Sequence, residues 1–110
     1  MTVDIRLRFK KNKTFLGKGV RIMLLAIDET GSISAASKKT GISYPKALRM
    51  IKTLTDELGF EVIVSEKGGA KKGGSKLTPK GRALLEKYGE IEDELLDYAK
   101  KLVAEKLPDL

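Results

Sequence analysis

At 110 residues and 41% hydrophobic content, the chain has room for one domain with a modest core and is too apolar for a disordered polymer. It contains neither Cys nor His, which excludes a disulfide framework and a thiolate zinc site and leaves nucleophile–imidazole catalysis without its base. The net charge of +7 divides unevenly: residues 1–82 carry +11 and residues 83–110 carry −4, so a basic body that suits a polyanion bears an acidic tail.

Val3, Ile5, Leu7 and Phe9 alternate with Asp4, Arg6, Arg8 and Lys10, the period of a half-exposed strand. A polar turn at Lys11–Lys13 and a return strand at Thr14-Phe15-Leu16 complete an expected N-terminal hairpin. From Val20 the spacing becomes helical, with Val20, Met23, Leu24 and Ile27 on one face and Gly31 placed to end the helix in a left-handed turn.

Ser32 caps a second helix, whose inner face is Ile33, Ala35 and Ala36. Gly41 ends it, Ile42 plugs the turn, and Ser43 caps a third helix with Pro45 in its first turn, where the missing N–H costs nothing. Leu48, Ile51, Leu54 and Leu58 form the expected buried stripe of that helix, with Ala47 and Thr55 beside it, and Gly59 closes it. Two capped helices across a tight glycine turn make a helix-turn-helix. The second helix of such a pair enters the major groove by its N-terminal end. Candidate DNA contacts there are Ser32 and Ser34 at the start of the second helix, Ser43, Tyr44 and Pro45 at the start of the third, and the cations Lys46, Arg49 and Lys52, spaced by three along it.

Phe60, Val62 and Val64 alternate as a strand, followed by KGGAKKGGS from Lys67 to Ser75, and Lys76-Leu77 begins the return. A strand, a basic glycine-rich loop and a strand after a recognition helix describe a wing, in which glycine lets the backbone approach a phosphate closely. Lys71, Lys72, Ser75 and Lys76 are its candidate contacts. Thr78-Pro79 opens a last helix. Along it Leu84, Tyr88, Ile91, Leu95, Tyr98 and Leu102 recur at alternating intervals of four and three, a heptad seam too long for a small body to cover. A second copy of the chain is the expected partner, with the seam residues as the dimer interface.

The stretch FLGKGVRIMLLAIDETGSISAASKKTGISY (Phe15 to Tyr44), the wing GGAKKGGSKLT (Gly68 to Thr78) and the long helix after it resemble the N-terminal DNA-binding domain of molybdate-responsive regulators of the ModE type. They are also similar to the related domain of LysR-type regulators. Pro45 is closer to the LysR pattern, and Leu48 stands where an aromatic is often found. The resemblance implies a dimeric transcription regulator that touches DNA through Ser43, Tyr44, Lys46, Arg49 and the wing. Because the sequence stops at Leu110, the expectation is a stand-alone form without molybdate-binding domains.

The expected fold class is α+β, mainly α: a winged helix-turn-helix in residues 1–82 with an N-terminal β-hairpin, and a C-terminal dimerisation helix in residues 83–110. The expected function is sequence-specific binding of double-stranded DNA by a homodimer in the cytoplasm, with no cofactor, metal or membrane involved. A winged-helix module for protein–protein docking is the alternative, and the basic recognition face argues against it. The basic half offers no paired carboxylates, imidazole or thiol, so no enzyme is expected.

Overall fold

The computed structural model describes residues 1–66 and 74–110. In chain order the elements are β1 (Phe9–Lys10), β2 (Thr14–Leu16), α1 (Lys18–Thr30), α2 (Ile33–Thr40), α3 (Tyr44–Leu58), β3 (Ile63–Glu66), β4 (Gly74–Leu77) and α4 (Pro79–Lys106). Two antiparallel ribbons, β1–β2 and β3–β4, flank the helices. This is the mainly helical winged helix-turn-helix that the sequence leads one to expect.

Three left-handed glycines punctuate the helices. Gly31, Gly41 and Gly59 all have φ of 75° to 78°, and each donates its N–H to the carbonyl four residues back, closing α1, α2 and α3 in turn. The core lies between α1, α3 and the first turns of α4, with Leu16, Met23, Leu24, Ile27, Leu54, Val62 and Tyr88 fully buried in it. At the start of α4, Thr78 accepts from the Gly81 amide at 2.9 Å and donates to the Glu61 carbonyl at 2.8 Å. Gly81 itself lies so close to β3 that a Cβ there would sit 2.4 Å from the Val62 oxygen. Helix α4 is thereby pressed onto the wing root, and paired bonds of 3.0 and 2.9 Å from Arg82 to Asp28 tie it to α1.

Three expectations change. The strand expected over residues 3–10 shrinks to Phe9–Lys10, since among the described residues the segment before it pairs with no other strand. Val3, Ile5 and Leu7 are nevertheless half-buried and their neighbours exposed, because the segment runs as an extended strap along α4. Met1, Thr2 and Val3 line a groove together with Leu96, Lys100 and Val103, and the Leu7 carbonyl accepts the Tyr88 hydroxyl at 2.7 Å. Packing one edge of an extended chain on a helix imposes the same period of two as packing it in a sheet. In α3, Leu48 is 42% exposed and Ala47 is fully buried in its place, so the stripe runs Ala47, Ile51, Leu54, Leu58. The strand expected from Phe60 begins only at Ile63, after a buried Val62.

The division expected after residue 82 falls inside the packed part of α4, where Leu85 and Tyr88 belong to the core. The Tyr88 ring stands edge-on to Phe9 at 5.2 Å, under the Arg21 guanidinium at 5.7 Å. Burial, reinforced by the Glu92 carboxylate, holds its phenol above the ordinary value of 10.0. An unfolded chain ionises near that value while the folded one keeps its proton. This part of the stability is therefore complete below pH 10 and is lost as pH rises beyond it. Tyr88→Phe should cost about 0.5–1.5 kcal/mol at neutral pH through the lost bond to Leu7. Its urea midpoint should also fall less steeply than the wild type's above pH 10; parallel curves would show that the phenol is not held this way.

Candidate nucleic-acid interface

Each helix of the helix-turn-helix starts on a serine whose side chain is already engaged. Ser32 Oγ accepts from the Ala35 amide at 3.1 Å, and Ser43 Oγ accepts from the Lys46 amide at 3.3 Å. Both hydroxyls retain a proton to donate. Ser34 is exposed one residue into α2. Helix α3 turns Ala47, Leu54 and its half-buried neighbours inward and leaves Tyr44, Pro45, Lys46, Leu48, Arg49 and Lys52 exposed.

The cations of α3 do not stand in one row. Arg49 and Lys52 are exposed outside the groove along the hairpin, whereas Lys46 lines that groove with Thr14, Gly19 and Met50. Lys52 forms an ion pair with Asp56 at 2.9 Å, one turn on, so it offers less net charge than its position suggests. Among the described residues Lys46 and Arg49 form no ion pair, which leaves both positive charges for an external anion.

Among the described residues of the wing, Ser75 departs from expectation. Ser75 is only 6% exposed, and its amide donates to the Gly31 carbonyl at 2.8 Å. It anchors β4 to the turn between α1 and α2 and does not present its hydroxyl to a ligand. Lys76 next to it is exposed. Lys71 and Lys72 lie outside the described residues.

On α4 the seam divides in two. Tyr88 is wholly buried within its own chain, and Leu84 packs half-buried on the core, so Tyr88 is a core residue and not part of an outer face. Beyond them Ile91 and Leu95 are each 40% exposed and Tyr98 is 60% exposed, with Leu102 half-buried. Helix α1 adds exposed Ile22 and Leu25, which share a groove with Leu96 of α4. The sequence reading singled out neither, because the seam it followed runs along α4 and these two lie on α1. The acidic residues Glu86, Glu90, Asp93, Glu94 and Asp97 are also exposed along α4, well away from the cations of α3 in sequence and in charge. Among the described residues, no helix is long and apolar enough to cross a membrane.

Residues 22–82 match the family model of the bacterial regulatory helix-turn-helix proteins of the lysR family. The chain belongs to this family. It is 41% identical over 70 residues to the molybdenum-pterin-binding protein MopB of Rhodobacter capsulatus, covering 64% of this chain and 26% of that protein. It is 37% identical over 92 residues to the transcriptional regulator ModE of Yersinia pestis, covering 80% and 34% respectively. The chain thus spans about a quarter to a third of the length of these relatives. Two solved structures share the fold. The CbnR DNA-binding domain in complex with DNA superposes with a TM-score of 0.60 at 24% identity, over 80% of this chain and 95% of that one. The BenM domain bound to benA site 1 DNA superposes with a TM-score of 0.50 at 25% identity, over 80% and 92%.

Proposed function

We propose that the chain is a DNA-binding transcription regulator, not an enzyme, that acts in the cytoplasm as a homodimer on double-stranded DNA. The observation that carries this reading is the exposed first half of α3. Lys46 and Arg49 stand there with no ion-pair partner among the described residues, beside the hydroxyls of Ser43 and Tyr44, on a helix whose opposite face is buried. Such a face fits the major groove, with Arg49 suited to a guanine edge and Lys46 to a phosphate. The CbnR and BenM domains, which share the fold, were solved on DNA, and ModE of Yersinia pestis carries the name of a transcriptional regulator.

The dimer reading rests on α4. Its 28 residues extend about 42 Å at 1.5 Å per residue, in a molecule measuring 60 × 28 × 22 Å. Its distal half keeps Ile91, Leu95 and Tyr98 exposed in a strip that single soluble domains avoid. A two-fold copy across Ile91, Leu95, Tyr98 and Leu102 covers that strip and pairs two recognition helices.

Binding to a duplex should weaken steeply with salt. With about 6–10 phosphates neutralised per dimer, log K should fall with a slope of roughly −5 to −9 against log salt. A flat titration would contradict DNA as the partner. Leu95→Glu places a charge in the strip, and sedimentation should show a monomer that keeps the wild-type helical circular dichroism and binds DNA more weakly. A wild type that is already monomeric at micromolar concentration would move the contact away from α4.

A further inference from the structure

The N-terminal strap lies outside the segment that defines the family, because the match begins only at Ile22. Its apolar residues face α4, which turns Arg6 and Arg8 outward. These two arginines do not point into empty solvent at random. Together with Gly17, Lys18, Lys46 and Met50 they line a groove of about 730 Å³ between the strap, the start of α1 and the first turns of the recognition helix. The Arg8 side chain lies over Gly17, with its Cγ 3.3 Å from where a Cβ on that glycine would stand. Gly19 in turn faces the end of Met50, one turn along α3 from Lys46, at 3.9 Å on the same measure. The strap thus passes close over Gly17, and the start of α1 in turn meets α3 at Met50.

Charge in this groove is one-sided. Arg6, Arg8, Lys18 and Lys46 form no ion pair among the described residues. The carboxylates that also reach the groove are Asp4, on the strap, and Glu92, on α4. Glu92 is neutralised by Arg21 at 3.2 Å. The excess of positive charge therefore adjoins Lys46, and it lies on the flank of α3 opposite Leu48.

We propose that Arg6 and Arg8 form a second phosphate clamp, gripping the DNA backbone beside the groove that α3 occupies. This proposal rests on the DNA reading above. A recognition helix in a major groove has a sugar–phosphate strand on each side. The strap holds two guanidinium groups in the groove that Lys46 lines, on one flank of α3, where their planar forks match phosphate oxygens. Contacts of this kind set register and raise affinity without reading sequence.

The test uses the full chain and a random-sequence duplex of about 30 base pairs, titrated with salt for wild type, Arg6→Gln/Arg8→Gln and Arg6→Lys/Arg8→Lys. At about 0.9 per phosphate contact, the glutamine pair should reduce the salt slope by about 2 per protomer and the lysine pair should largely keep it. Hydroxyl-radical footprints should lose protection on one backbone flank only. Lys101→Gln/Lys106→Gln, at the far end of α4, should leave the slope unchanged. A glutamine variant with wild-type slope and footprint would overturn the clamp while leaving the DNA reading intact. So would an equal effect from the α4 lysines, which would reduce it to net charge. A wild type that binds no duplex at all would remove the DNA reading and the clamp with it.

Discussion

Burial of Tyr88 is the constraint on which the rest of the molecule depends. Its ring meets Phe9 of the hairpin and Arg21 of α1, and its hydroxyl holds the Leu7 carbonyl of the strap. One aromatic side chain therefore joins α4 to the N-terminal segment and to α1, both remote from it in sequence. It keeps α4 on the body at that turn, and beyond it the helix stays tied through Glu92 to Arg21 while Ile91, Leu95 and Tyr98 remain exposed. It also anchors the strap one residue from Arg8, which is what brings the strap's arginines beside α3.

The functional face is built by local rules and oriented by tertiary ones. Glycines in the left-handed region stop α1 and α2, and Ser32 and Ser43 restart the chain at once, so the two helices meet at a turn too short to slacken. The bond from the Ser75 amide to the Gly31 carbonyl then fastens the wing root to that same turn. Thr78, Gly81 and Arg82 fasten α4 to the wing root and to α1. Every element that would meet DNA is thus referred to one junction, and the acidic half of α4 points its charge elsewhere. This segregation of charge leaves Lys46 and Arg49 available while Lys39 and Lys52 are tied to Glu29 and Asp56.

Features set by short-range chemistry were legible in the sequence: the four helices, their serine and threonine caps, the glycine stops and the exposed cations of α3. Misreadings arose where a pattern has two physical sources. The alternation from Val3 to Phe9 fits a strand, but it records an extended chain lying on a helix, a partner that periodicity does not name. Tyr88 fits the heptad seam by spacing, but it sits about 40° from the seam's centre at 100° per residue, toward the body, and the strap and hairpin close over it. Ser75 looks like a wing hydroxyl, and only the fold shows that its backbone reaches Gly31. Leu48 turns outward and the neighbouring Ala47 takes the buried place, a shift of one position that an apolar stripe does not resolve. Ile22 and Leu25 carried no signal, since their exposure depends on where α4 leaves the body.

The central claim is that two copies of this chain present their α3 helices to one duplex at a fixed separation. Selection of bound sequences from a random duplex pool tests it most directly. The expected result is an inverted repeat whose half-sites lie one helical turn, about 10 base pairs, or a multiple of that apart. Enrichment of no sequence, or of a single half-site without symmetry, would contradict it.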